Sequence, residues 1–173
     1  MTGRDETVAR LLVCGNIDRC DDGAAIWAAA ALLPGLREEG LRGVDARRCG
    51  QLDIEHLLEA ASVPLIIVDT AIGIAPGTVV TLTFDELVSV KRGPAPSSSH
   101  ALPIDQVVGV ARQLSDAPID GLFVGIGGSD FGFGRSLSTP VRKALPEFLA
   151  AINAAIDSYD RQPTRAGVDS HVP

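Results

Sequence analysis

The chain has 173 residues, a mass of 18.0 kDa and a formal charge of −7 from 15 basic and 22 acidic residues. That length suits one domain, and the acidic balance argues against the broad basic footprint of a nucleic-acid binder. Hydrophobic residues make up 46% but aromatics only 4%, so the core is expected to be aliphatic and alanine-rich. Three cysteines (Cys14, Cys20, Cys49) with no C-x-x-C pair argue against a disulfide scaffold and against a thiolate zinc site. Met1–Arg10 has no apolar stretch of the signal-peptide kind, and the apolar run Gly23–Leu33 is too short to span a bilayer. A cytoplasmic protein is the expectation. Arg37–Arg48 mixes arginines with Glu38, Glu39 and Asp45 and reads as a solvated surface.

Val8–Cys14 (VARLLVC) is a short aliphatic run closed by Gly15 and predicts a buried first strand. After a polar loop, Gly23–Leu33 carries alanines with Ile26, Trp27, Leu32 and Leu33 and suits a helix buried on most sides. Asp21 or Asp22 is placed to cap it and Pro34–Gly35 to stop it. Leu41–Ala46 is a weak strand. Asp53–Ala61 predicts a helix capped at Asp53, with Leu57 and Leu58 inward and Glu55, His56 and Glu59 outward. Leu65–Asp69 (LIIVD) is the clearest buried parallel strand. Ala75–Thr78 makes a turn before a strand over Thr78–Phe84, which is expected to run antiparallel to Leu65–Asp69 as its hairpin partner.

Lys91–Ser99 is a Pro/Ser loop, Pro103–Leu114 a helix, and Gly121–Ile126 a further buried strand followed by a mobile glycine-rich loop. Thr139–Asp157 predicts a long helix with Pro140 in its first turn, where a missing N–H costs little, and with a kink at Pro146. Residues 1–159 are expected to form a single domain and residues 160–173 a disordered tail. The element order predicts an α/β fold: a three-layer sandwich around a twisted, mostly parallel five-stranded sheet with one antiparallel strand. Such sheets bind ligands beyond the C-terminal ends of their strands. That rule points to the loops after Cys14, Val68 and Ile126.

Neither G-x-G-x-x-G nor a phosphate-binding G-x-x-x-x-G-K-[ST] follows the first strand, which argues against a nucleotide site. The loop carries carboxylates instead. Asp21 and Asp22 stand side by side where strand passes to helix, one able to cap and the other to face solvent or a metal. Asn16 is placed to tie the loop together. Asp69 closes the most apolar strand, where a charge faces the crevice. His100 ends the Pro/Ser loop, whereas His56 lies on a helix flank and His171 in the tail. Two carboxylates and one imidazole from three loops offer oxygen and nitrogen donors suited to nickel, zinc, iron or manganese. Cys20 with His100 is a weaker thiol–imidazole alternative. Ser97–Ser99 lack the G-x-S-x-G elbow of a serine hydrolase.

The order of these motifs resembles that of the maturation endopeptidases of nickel-iron hydrogenases. The matching residues are Gly15-Asn16 with Asp21-Asp22-Gly23, Ile66-Ile67-Val68-Asp69-Thr70, Pro76-Gly77-Thr78, Ser99-His100, Val124-Gly125-Ile126 and, loosely, Leu137-Ser138-Thr139-Pro140. The resemblance covers about Val8 to Ile156. It implies an aspartate-type endopeptidase that removes a C-terminal peptide from the nickel-loaded large-subunit precursor. It implies Asp22, Asp69 and His100 as catalytic and metal-contacting residues, with Gly15, Asn16, Asp21 and Gly23 shaping the loop around them. The nickel would arrive with the substrate, leaving the free enzyme metal-free. Separately, the free protein is expected to be monomeric. Two functions remain beside this one: a metal-dependent hydrolase of a small substrate, and a non-catalytic docking or assembly factor. Two departures concern the partner rather than the reaction. Cys49-Gly50-Gln51-Leu52 stands where relatives carry Gly-Thr, and Gly127-Gly128-Ser129 where they carry Glu or Gln and Pro.

Overall fold

A computed structural model describes residues 7–38, 43–89 and 103–160. Its strands are β1 (Ala9–Cys14), β2 (Val44–Gly50), β3 (Leu65–Ala71), β4 (Val79–Thr83) and β5 (Gly121–Gly127). They form one sheet in the order β2-β1-β3-β5-β4, parallel throughout except for β4, which runs antiparallel to β5. The helices are α1 (Ala24–Glu38), α2 (Ile54–Leu58), α3 (Phe84–Ser89), α4 (Ile104–Leu114) and α5 (Thr139–Asp160), with a 3-10 turn over Cys20–Gly23 leading into α1.

Strand alternation divides the interior into two cores. Leu11, Val13, Ile66, Val68, Val124 and Ile126 point to one face, where they meet Ala25, Ala28 and Ala29 of α1 and Phe148, Ile152 and Ile156 of α5. Leu12, Cys14, Leu65, Ile67 and Phe123 point to the other, against Leu57 of α2, Phe84 and Leu87 of α3 and Val107, Val108 and Ala111 of α4. Central strands covered on both faces have no polar side, which is why β1 and β3 read as unbroken aliphatic runs. Each fully buried Leu or Ile contributes roughly 1.5–3 kcal/mol. The low aromatic content is met by alanines, which let α1 approach the sheet closely.

The Pro76-Gly77-Thr78 motif is a turn that joins three elements. Thr78 N–H donates to the Ala75 carbonyl at 3.0 Å, and Gly77 N–H to the Gly127 carbonyl at 2.8 Å. Gly77 has φ +80°, and a Cβ there would lie 2.8 Å from the Pro140 carbonyl oxygen. The turn therefore seats the end of β5 and the start of α5 together.

Several elements differ from the sequence expectation. β4 pairs with β5 and not with β3, because β5 inserts between them. The strand expected to reach Phe84 ends at Thr83, where Glu86 accepts from the Thr83 N–H and hydroxyl and Phe84 opens α3. α1 does not stop at Pro34–Gly35 but continues to Glu38, and Trp27 on it is 44% exposed rather than buried. α5 runs through Pro146 on its exposed side and reaches Asp160, the first residue assigned to the tail. There water can satisfy the carbonyl that the proline leaves free.

β2 extends to Gly50, beyond the expected Ala46, and its first expected residues, 41 and 42, lie outside the described residues. It is an edge strand, and its charges follow from that place. Asp45 accepts from Arg10 and from Arg47, each at 3.0 Å. Residues 161–173 of the tail and the Lys91–Ser99 loop lie outside the described residues.

Gly77→Ala is expected to cost about 1–3 kcal/mol, since a Cβ in the left-handed region adds strain and this one also meets Pro140. Urea denaturation followed by circular dichroism measures it.

Candidate active site

Asp22 lies in the 3-10 turn after β1, and Asp69 near the C-terminal end of β3. Gly15 holds the two together. Its φ is +108°, and a Cβ placed on it would stand 2.0 Å from the Asp22 carbonyl oxygen and 3.8 Å from Asp69 Oδ1. No residue larger than glycine leaves room for both. Asn16 N–H donates to Asp22 Oδ2 at 2.9 Å, and Asn16 Oδ1 accepts from Asp18 N–H at 2.9 Å, which closes the loop on itself. Gly23 packs where a Cβ would lie 3.0 Å from Ile17 Cα.

Adjacent in sequence, Asp21 and Asp22 have opposite environments. Asp21 is fully buried. Its Oδ2 accepts from the backbone N–H of Ser129 and of Asp130, both at 2.9 Å, and from the Ser129 hydroxyl at 3.3 Å. Its Oδ1 accepts from Ser138 N–H at 2.7 Å. Burial raises the Asp21 carboxyl, but the backbone donors Ser129, Ser138 and Asp130 outweigh it, and the net shift is downward. The Asp21 carbonyl also accepts from Thr70 Oγ1 at 2.7 Å. Asp21 thus ties the loop after β1 to β3 and to the loop after β5. The glycine-rich stretch expected to be mobile is instead anchored at Ser129, Asp130 and Ser138. It is anchored again where Cys20 N–H donates to Gly134 O and where Arg135 Nε pairs with Asp18 Oδ1 at 2.6 Å.

Asp22 and Asp69 are shifted the other way. Burial raises Asp22 against the Asn16 N–H bond and the Arg19 charge. Burial pushes Asp69 up to about 7, opposed by the Thr70 N–H at 2.7 Å and reinforced by the charge of Asp22. A carboxyl that titrates near neutrality can give or take a proton at working pH, and such shifts gather at functional sites. Both acids therefore lie at the C-terminal end of the central strands, with the charge of Asp22 felt at Asp69.

The loops after Cys14, Val68 and Ile126 do meet, bringing Gly15, Asn16, Asp21, Asp22, Gly23 and Asp69 to one place. His100 lies outside the described residues. Among the described residues no group of three His, Cys, Asp or Glu is arranged to hold a metal ion. His56 serves a different end: Asp53 Oδ1 accepts from His56 N–H and His56 Nδ1 accepts from Asp53 N–H, a capping box for α2. Cys20, the thiol of the thiol–imidazole alternative, is 7% exposed. Burial and the nearby Asp130 push its thiol up, away from the reactive thiolate. The roles of Thr70, Ser129 and Ser138 have no signal in the sequence, because they depend on which loops touch.

A model of the hydrogenase maturation protease family matches residues 37–155. The chain belongs to that family. Asp69 falls inside the matched span, whereas Gly15 and Asp22 precede it. The fold agrees with solved hydrogenase maturation proteases. The hydrogenase maturating endopeptidase HybD from Escherichia coli superposes with a TM-score of 0.66 at 23% identity, over 87% of this chain and 92% of that one. A hydrogenase 3 maturation protease gives a TM-score of 0.61 at 20% identity, over 85% and 90%. The [NiFe] hydrogenase maturation protease HycI from Thermococcus kodakarensis KOD1 gives 0.60 at 18% identity, over 86% and 92%. No curated protein sequence matches the chain. No helix among the described residues of this maturation protease is long and apolar enough to cross a membrane.

Two stability measurements separate the adjacent acids. Asp21→Asn presents an amide NH2 to donors and is expected to cost about 1–3 kcal/mol at neutral pH. The lowered Asp21 carboxyl stabilises the fold fully above its unfolded pKa of about 4, and that contribution is lost as pH falls through the folded value. The gap between wild type and variant should therefore narrow in acid denaturation curves. Asp69 has the opposite sign. Its raised carboxyl weakens the fold progressively between about pH 4 and about pH 7. Asp69→Asn should raise Tm more at pH 8 than at pH 5, measured by calorimetry.

Proposed function

We propose that this maturation protease removes a C-terminal peptide from the nickel-loaded large-subunit precursor of a nickel-iron hydrogenase. The juxtaposition of Asp22 and Asp69 around Gly15, at the crevice where α/β sheets bind ligands, carries this reading in a chain of this family. The nickel is cargo of the precursor and not a resident cofactor. Two carboxylates supply hard oxygen donors that suit a divalent cation, and His100 would complete the set with an imidazole nitrogen. The three residues would recognise a loaded precursor, because a cation offsets the repulsion between Asp22 and Asp69 that an empty precursor leaves in place.

Peptide hydrolysis needs a water oxygen delivered to the scissile carbonyl carbon and a proton moved to the leaving nitrogen. Asp69 suits the proton-carrying part, since it is near its midpoint at neutral pH. It would take the proton of the attacking water and return it to the departing amine, which makes the enzyme aspartate-type. Nickel polarising the same carbonyl or water would act in the same direction. The anchored loop over 128–138 lies beside the two acids through its bonds to Asp21, and Ser129 on it makes that part of the rim less charged, with Asp130 and Arg135 following.

Mass spectrometry of the purified large-subunit precursor, with and without nickel, tests the proposal. The wild-type protein should release a C-terminal peptide from the loaded precursor and none from the nickel-free one. Asp22→Ala, Asp69→Ala and His100→Ala should each slow release at least about 100-fold, the scale of losing a proton-transfer or charge-stabilising group. An unchanged rate in all three would overturn the assignment.

A further inference from the structure

The two thiols Cys14 and Cys49 stand on neighbouring parallel strands, at the ends that face the active site. Their Sγ atoms are 3.0 Å apart, and both cysteines are free and buried. The register explains the meeting. β1 and β2 pair residue for residue as far as Val13 with Arg48, and then an irregularity sets Cys14 opposite Gly50. Cys49 is the residue skipped, and its side chain turns inward into the same core as Cys14.

The pair also shares its face with the catalytic acid. β1 and β3 pair Leu12 with Ile67 and Val13 with Val68, so the next residues in register are Cys14 and Asp69. Cys49, Cys14 and Asp69 thus form a row across β2, β1 and β3, and the Asp69 charge acts on both thiols. Each cysteine precedes a glycine in the left-handed region, Gly15 at φ +108° and Gly50 at φ +46°. Gly15 N–H donates to the Gly50 carbonyl at 2.6 Å. A bond between the sulfurs would draw the strand ends together just where Gly15 spaces Asp22 from Asp69.

We propose that Cys14 and Cys49 are a modification site, a dithiol that a peroxide closes reversibly into a disulfide beneath the carboxylate pair. The two thiols are shifted in opposite directions. The hydrogen bond from Cys14 lowers the Cys49 thiol, while that same bond and burial raise Cys14. Cys49 also lies on the edge strand, the outermost of the row. Cys49 Sγ attacks one peroxide oxygen, the O–O bond breaks, and the expelled hydroxide takes up the thiol proton as water. Cys49 is then a sulfenic acid. Cys14 Sγ displaces its hydroxyl, which leaves as a second water with the Cys14 proton. Two thiols and one hydrogen peroxide give one disulfide and two waters. A dithiol reductant reverses the bond by exchange. The coupling of this bond to peptide release rests on the function proposed above, whereas the bond itself does not.

The full-length protein is treated with hydrogen peroxide, denatured, alkylated and mapped by peptide mass spectrometry. The expected result is a Cys14–Cys49 linked peptide with Cys20 alkylated, and full alkylation of all three after dithiothreitol. Cys20→Ser should give the same linkage, and Cys49→Ser should leave Cys14 alkylated. Three alkylated cysteines after peroxide, or a linkage through Cys20, would overturn the proposal. In the precursor assay the oxidised protein should release peptide at least tenfold more slowly than the reduced protein, and Cys49→Ser should be insensitive to peroxide. Equal rates before and after a mapped disulfide would overturn the coupling alone. Absence of release in both forms would count against the proposed function and leave the mapped bond standing.

Discussion

The candidate site depends on one buried carboxylate that acts as a structural tie. Asp21 receives backbone N–H groups from Ser129, Asp130 and Ser138, while its own carbonyl receives the Thr70 hydroxyl. A charged acceptor with no solvent contact is tolerable only when its lone pairs are filled, and here they are. The arrangement adds a polar tie to three loops, two of which also rest Ile17 and Leu137 on the core. It also lets the protein keep glycine-rich loops at the crevice without losing their shape. The fold supplies a rigid sheet, and Asp21 transmits that rigidity to the irregular segments above it.

Much of this architecture is legible in the sequence because central strands bury both faces. β1, β3 and β5 announce themselves as aliphatic runs, and the crossovers between them require a parallel sheet with helices on both sides. What the sequence conceals is governed by neighbours. β2 looks unlike a strand because its charged residues suit an edge, where Asp45 gathers Arg10 and Arg47. The partner of β4 depends on where β5 enters the sheet. The helical path through Pro146 depends on that residue facing solvent, where water can take the freed carbonyl.

The acids illustrate the same limit more sharply. Two consecutive aspartates are identical to any reading of spacing, and only the packing of the 128–138 loop makes one a strut and the other a member of the site. Pairing of Cys14 with Cys49 is set by a local irregularity in register that no periodicity reveals. By contrast, the Gly15-Asn16 pair and the Pro76-Gly77-Thr78 turn were legible, since each needs a backbone conformation or a close approach that few residue types allow. Family membership rests on a span that begins after the first motif, so the geometry of Gly15 and Asp22 is independent support for the site.

Thr70 and Asp21 are joined to each other, and each is the immediate neighbour of a site acid, Asp69 and Asp22. The strut bond and the acid pair are thus two ends of the same two dipeptides, arranged like the handles and tips of a caliper. A shift of either handle is therefore passed to a tip through a single peptide unit. A change in the 128–138 loop reaches Asp22 by way of Asp21, and Asp69 by way of Asp21 and Thr70.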